Sequence, residues 1–305
     1  MDSWRKNPLV FWVLNLPPSF WLVAFFLVPL GIVWAISFGD KRGVVDIAIT
    51  GTLDNYARAL EPLYLGIFWK SILMAGAATL GCLVVGYPVA FAIAFAPERW
   101  RPVLLLIVVL PFWINALIRT YALIAVFRTR GYINFGLEWL WEKANWLLSA
   151  FGLGHLHLFG ERFEPIALLY NNTAVTLGII YAFFPFMVLP LYANIEKMDR
   201  TYIEASLDLG AGHWRTFVSV IVPLTWHGVL SGIIIVFIPA LGAFFIPDLL
   251  GGTDSQLIGN VIERQFKSAN DWPFGAALSF LLMYLTFGAL ALRAVLSGRR
   301  QGLEA

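Results

Sequence analysis

Apolar residues along this 305-residue chain gather in long unbroken runs instead of alternating with polar ones. Nearly charge-free stretches cover about 19–38, 71–96, 102–126 (interrupted by Arg119), 173–193, 220–247 and 273–292. Each is long enough, as a helix, to cross a hydrocarbon core of roughly 30 Å. Backbone groups in lipid need internal partners, and continuous apolarity does not suit barrel strands. The pattern therefore predicts an all-α integral membrane protein with six transmembrane helices. Its expected parts are an N-terminal segment 1–18, a membrane domain 19–296 containing a polar loop at 194–219, and a tail 297–305. An even number of spans puts both termini on one side.

Composition agrees: 59% of residues are hydrophobic, 16% aromatic and only 13% charged, with a mean hydropathy of +0.75. A net charge of +2 without a basic stripe sets nucleic acid aside. Arg5 and Lys6 precede the first apolar run, but that run is longer than a cleaved signal and is read as a retained span. The single cysteine, Cys82, excludes an intrachain disulfide and suits packing. Of the 21 Lys and Arg, about half fall on each side, and only their density over the shorter loops favours cytoplasmic termini. The segments 39–66 and 127–172 would then lie outside as a cap with short interfacial helices, their Trp139, Trp141 and Trp146 suited to the headgroup level. Asn171-Asn172-Thr173 fits a glycosylation pattern too short to carry weight. Prolines recur inside the runs, at Pro29, Pro88, Pro111, Pro185, Pro190, Pro239 and Pro247, which suits kinked helices around a cavity.

Several chemistries are missing. The Lys-Ser pairs, Lys70-Ser71 and Lys267-Ser268, follow Trp69 and Phe266, so no phosphate-cradling loop precedes them. The span interiors hold no Asp or Glu, the usual residues of proton or sodium coupling, although ion coordination by backbone carbonyls stays open. His155, His157, His213 and His227 make neither a metal set nor a catalytic cluster, so neither a metal nor an enzyme is expected. What remains are candidates for a solute pathway. PFWINALIRTYAL holds Phe112, Trp113, Asn115, Arg119 and Tyr121. Arg119 either snorkels to the outer interface, or pairs with a partner or gates the vestibule. The aromatic faces attract cations by about 0.5–2 kcal/mol each, though packing is their commoner use. Asp248, at the outer end of the fifth run, and Trp272 complete the set.

EASLDLGAGHWRTFVSVIVP, residues 204–223, is a semi-polar island between two apolar runs. It reads Glu204-Ala205-Ser206, three residues, Gly210, nine residues, then Val220-x-Val222-Pro223. This resembles the cytoplasmic signature loop of binding-protein-dependent ABC importer permeases, with Ser206, Val220 and Val222 as conservative departures. TLDNYARALEPLY (52–64), LPFWINALIRTYAL (110–123), GYIN (131–134), FPFMVLPLYANIEKMD (184–199) and IGNVIERQFKSANDWPFGAALS (258–279) narrow it. Together, over about residues 20–290, they resemble the first of the two permease subunits of spermidine/putrescine importers, with 137–170 the least matched part.

The resemblance implies a type I ABC importer permease in the bacterial inner membrane with both termini cytoplasmic. It implies a homologous second permease, two copies of an ABC ATPase and a periplasmic polyamine-binding protein. No cofactor would be held by this chain, since ATP and Mg belong to the ATPase. Glu204, Ala205, Ser206, Asp208, Gly210 and Pro223 would form the coupling loop, its small residues letting a short helix seat against the ATPase and Gly210 permitting a turn. Alternating access would follow ATP binding and hydrolysis, with the second permease supplying most acidic contacts to the substrate. The competing readings are an importer for an opine, a thiamine derivative or an amino-acid-like cation, an ion-driven secondary carrier, and a purely structural membrane subunit.

Overall fold

The computed structural model describes residues 8–43, 46–150 and 162–301; His155 and His157 lie outside them. The chain divides into two compact units, residues 1–66 with 261–305, and residues 67–260.

In the first unit, α1 (Pro8–Leu22) leads through a wider π turn (Val23–Leu27) into α2 (Val28–Ile36). Pro29 has no N–H for the preceding turn, and the π turn accommodates the mismatch without breaking the helix. The apolar stretch of this helix runs Phe11–Ile36, starting well ahead of Ser19, and none of its most apolar window is buried. A short antiparallel hairpin follows, β1 (Gly39–Lys41) with β2 (Ile47–Ile49), pairing Gly39 with Ile49 and Lys41 with Ile47. It is absent from the all-helical expectation because three-residue strands leave too little alternation to read. Next comes α3 (Asp54–Ala59), and the unit closes with α15 (Trp272–Gln301), which packs on α2, α3 and β1. Asn55 donates to the Ser37 and Gly39 carbonyls at 3.2 and 2.8 Å, and Arg58 bridges Asp271 at 2.8 Å while lying over the Phe274 ring.

The second unit is built on α4 (Pro62–Phe95) and α8 (Asn172–Glu196). Ala75, Ala78, Cys82, Gly86 and Ala90 recur every three or four residues and form a buried small-residue stripe on α4. Such a stripe lets helices approach closely where lipid offers no hydrophobic drive. Met187, Val188, Leu191 and Ile195 of α8 join it in one core. On its other side α8 carries α12 (Trp226–Leu241), through Gly228 and Gly232. A Cβ at Gly228 would sit 2.7 Å from the Asn194 Cβ, and one at Gly232 would sit 2.6 Å from the Met187 Sδ. The Asn171 carboxamide caps the start of α8 by accepting from the Ala174 N–H at 2.8 Å.

Two apolar runs expected as single spans are broken. α5 (Arg101–Val109) tightens into a 3-10 turn (Leu110–Trp113), Ile114 is extended, and α6 (Ala116–Phe127) leaves with the axis bent by 96°. α11 (Val222–Leu224) and α12 meet at Thr225 with a bend of 68°. By length and composition three helices qualify as spans, five if each bent pair counts once, and Trp272–Gly288 is a shorter apolar helix. α7 (Tyr132–Ala150) is longer than the short helices expected in that segment. Buried Asn134 ties its start down, donating to the Thr129 and Ile166 carbonyls and accepting from the Ile166 N–H, each at 2.9–3.0 Å.

After α12 the chain turns at Gly242–Phe244 into α13 (Phe245–Leu250) and then α14 (Ile258–Lys267). Buried Asn260 closes this corner: its Nδ2 donates to the Phe244 carbonyl at 2.6 Å and its Oδ1 accepts from the Leu257 N–H at 3.2 Å. Leaving such groups unpaired costs about 1–3 kcal/mol each. Asn260→Ala should therefore lower the thermal midpoint of the detergent-solubilised protein, at about 2–4 °C per kcal/mol. An unchanged melting curve would show that the corner is held some other way.

Candidate functional site

The polar island folds as an elbow. α9 (Thr201–Asp208) is short, and its first N–H groups need partners that the helix lacks. The Asp199 carboxylate accepts from the Thr201 backbone N–H at 3.0 Å, and that bond holds Asp199 below the usual carboxylate range. Its contribution is complete at neutral pH and is lost as pH falls through the lowered value. At the other end Gly210 adopts φ +81°, the left-handed conformation that glycine alone reaches without strain. The Gly210 N–H donates to the Leu207 carbonyl and the Ala211 N–H to the Ser206 carbonyl, the paired bonds of a Schellman helix end. α10 (His213–Thr216) then starts, and a hydroxyl bridge of 3.0 Å from Ser206 to Thr216 fixes the angle between the two helices.

Glu204, Ala205 and Asp208 face solvent, as do Leu209 (89% exposed) and Trp214 (76% exposed). Two large apolar side chains held this far out on a rigid elbow mark a surface made to be covered. Pro223, also exposed, follows a second π turn (Phe217–Ile221), so the elbow leads into α12 through a wound-out turn and the Thr225 bend. Thr225 is fully buried; its hydroxyl lies 2.8 Å from the Ile221 carbonyl and 2.7 Å from the Tyr87 hydroxyl of α4. The Phe217 ring meets Tyr87 edge-on. At the foot of α4, where carbonyls lack helical partners, Arg200 donates to Ala94 O at 3.3 Å and Arg101 to Ala96 O at 3.0 Å. Arg101 also reaches Glu196 at 3.4 Å, and Glu196 accepts from the Tyr192 hydroxyl at 2.6 Å.

A cavity of about 460 Å³ lies between the bends of α5–α6 and α12–α13. Its walls are mostly apolar, with five rings, Phe112, Phe183, Phe186, Phe244 and Phe245, and among the described residues the only ionisable side chain lining it is Arg119. A second cavity of about 300 Å³ also touches Arg119. Only 9% exposed, Arg119 donates one long bond of 3.5 Å to the Pro111 carbonyl, with its guanidinium 5.3 Å from the Phe112 ring and 5.6 Å from the Tyr181 ring. Of the two readings of Arg119 the structure favours the inward one: the chain breaks at Ile114, and Arg119 turns in to the Pro111 carbonyl, which also accepts from the Ile114 N–H at 3.4 Å. A fixed cation opposes a second cation about 6 Å away by roughly 3 kcal/mol at an effective dielectric of about 20.

The other pathway candidates do not converge on this cavity. Asn115 caps α6, accepting from the Leu117 N–H at 2.8 Å. Trp113 and Tyr121 are exposed, as is Asp248 on the first turn of α13, and none of the three lines the cavity. Trp272 belongs to the other unit and packs near Phe266. Sequence reading missed Thr225, Tyr87 and the outward Leu209 and Trp214. The Gly228-x-x-x-Gly232 spacing was a readable sign of the α8–α12 contact, whereas nothing in the sequence distinguishes Thr225 from other threonines. Among the described residues no three His, Cys, Asp or Glu side chains converge as a metal site.

Residues 8–300 match the model of the family described as binding-protein-dependent transport system inner membrane component. The chain is 43% identical over 262 residues to the spermidine/putrescine transport system permease protein PotB of Salmonella typhimurium, covering 86% of this chain and 85% of that one. It is 42% identical to the PotB of Escherichia coli, covering 86% and 88%. Among solved structures, a chain of a bacterial alginate ABC transporter bound to a pentasaccharide-loaded periplasmic protein superposes with a TM-score of 0.69 at 14% identity, covering 98% of both chains. The structural likeness carries the fold, an all-α membrane protein, and the family match carries the lineage and the permease role: this chain belongs to the inner-membrane components of binding-protein-dependent transport systems.

Proposed function

We propose that this chain is a permease subunit of an ATP-driven importer that moves polyamines, spermidine or putrescine, from periplasm to cytoplasm by alternating access. The observation that carries the energy-coupling half is the α9–α10 elbow, a rigid, outward-facing hinge on a chain without a nucleotide loop. The polyamine half rests on the PotB relatives at 42–43% identity. In this reading α1–α2, α4, α5–α6, α8, α11–α12 and α15 are the six spans. The segment ahead of the first span, loop 194–219 and tail 297–305 lie in the cytoplasm, around a membrane domain whose first span starts at Phe11. A homologous second permease completes the channel, two ABC ATPase copies bind ATP and Mg, and a periplasmic polyamine-binding protein delivers substrate.

Glu204, Ala205 and Asp208 with Leu209 and Trp214 would seat in the ATPase. Ser206 and Gly210 keep the elbow rigid, and Pro223 passes its motion to α12. Closure of the ATPases swings the elbow, and the Thr225 bend, pinned by Tyr87 to α4, turns that swing into a rearrangement of the packed helices. Phe112, Trp113 and Tyr121 offer aromatic faces to a polycation, with Asn115, Asp248 and Trp272 as further pathway candidates. Because this chain lines the cavity with no Asp or Glu, the acidic contacts to the substrate belong to the second permease.

Two measurements test this. In proteoliposomes holding the whole complex, Gly210→Val forces a branched side chain into the left-handed region, which costs about 1–2 kcal/mol and distorts the elbow; ATP-driven uptake should fall about tenfold or more while the protein still inserts. Normal uptake by the chain alone, driven by an ion gradient without ATP, would defeat the coupling reading. For the cargo, excess spermidine or putrescine should suppress uptake of labelled polyamine, whereas opines, thiamine derivatives and amino acids should not. Suppression by one of those solutes instead would reassign the substrate.

A further inference from the structure

The guanidinium of Arg119 is a buried cation without a buried anion. Among the described residues no carboxylate lies within ion-pair distance of it, and its single hydrogen bond, to the Pro111 carbonyl, is 3.5 Å long. The Phe112 and Tyr181 rings stand more than 5 Å from it and supply only their quadrupoles. An ionised group taken out of water in this way is held by a partner or not at all, and arginine does not escape by losing its proton. Asp248, the acid on neighbouring α13, points to solvent and does not line the cavity.

The space in front of Arg119 is large enough for a side chain. Its rim is formed by Phe112, Ala116 and Phe244, all exposed, and it continues into exposed Trp113, Ile114 and Leu117 on the same bend. An apolar rim around one desolvated charge is how a protein interface surrounds a buried ion pair. A polyamine cannot be the missing partner, since it carries the same sign as Arg119.

We infer that a carboxylate side chain of the second permease enters this cavity and pairs with Arg119, joining the two subunits at the α5–α6 bend. The inference rests on the two-permease reading above. The pair also removes the fixed positive field that would otherwise oppose a cationic substrate at this level of the channel.

The test uses the complete transporter, co-expressed with its second permease and assayed for copurification and polyamine uptake. Arg119→Lys, which keeps the charge, should assemble and retain part of the uptake, whereas Arg119→Met, of similar bulk but uncharged, should lose about tenfold or more. Each acidic residue in the helices of the second permease is then changed in turn to Arg alongside Arg119→Glu. One such swap should restore assembly or uptake to within about threefold of the wild type, the coupling expected of a direct pair. Wild-type uptake by Arg119→Met, or restoration at no position, overturns the pairing while leaving the two-permease complex intact. Failure of any second permease to copurify with the wild-type chain sinks both readings together.

Discussion

A helix that breaks inside hydrocarbon strands N–H and C=O groups that no water will meet, and each such group costs several kcal/mol if left alone. That constraint organises this chain, because its spans are full of breaks. The α5–α6 break is closed by the Asn115 cap and by Arg119 on the Pro111 carbonyl. At the α11–α12 bend, Thr225 hands its own hydroxyl to the Ile221 carbonyl. The corner after α12 is closed by Asn260. Pro29 and Pro223 are each preceded by a π turn that absorbs the missing donor. Among the polar side chains buried in the second unit, Arg119, Thr225 and Asn260 thus sit where the backbone bends, while Ser71, Thr79 and Thr120 donate within unbroken turns of α4 and α6.

Those bends lie between the elbow and the aromatic cavity. From α9 to α13 the chain is a series of short helices joined at Gly210, Thr225 and Gly242, while α4 and α8 run long beside it. Stiff long helices with a small-residue contact, Ala75 to Ala90 on one and Gly228 and Gly232 facing the other, provide a frame. The jointed path packs against that frame through the α8–α12 contact. Packed interfaces of this kind have discrete arrangements instead of a continuum, which is how a small displacement at one end becomes a change of state at the other.

Membership in the membrane class and in the permease family was legible from the residues, because each rests on a signal that is long or strictly spaced. Twenty apolar residues have one physical meaning, and a glycine six residues after a glutamate, followed by Pro223, has few. The breaks inside the runs were not legible. Pro111 and Pro223 announce trouble, but whether proline bends a helix or merely sits after a π turn depends on which neighbour can satisfy the freed carbonyl, and that neighbour is distant or ambiguous in sequence. Arg119 shows the difficulty. Its position near a helix end left it free to point outward or inward, and the break at Ile114 is what the sequence did not show. The pathway candidates show the same gap: Phe112 lines the aromatic cavity, whereas Trp113 and Tyr121, close to it in sequence, do not.

The hydroxyl bridge from Ser206 to Thr216 makes the elbow a device that counts residues. Each residue added to a helix turns everything after it by about 100°. A single insertion or deletion between these two positions would swing Thr216 away from Ser206 and re-aim Trp214, even if both helices survived. In this part of the chain the spacing is itself a mechanical quantity, and the side chains are what hold the ruler still.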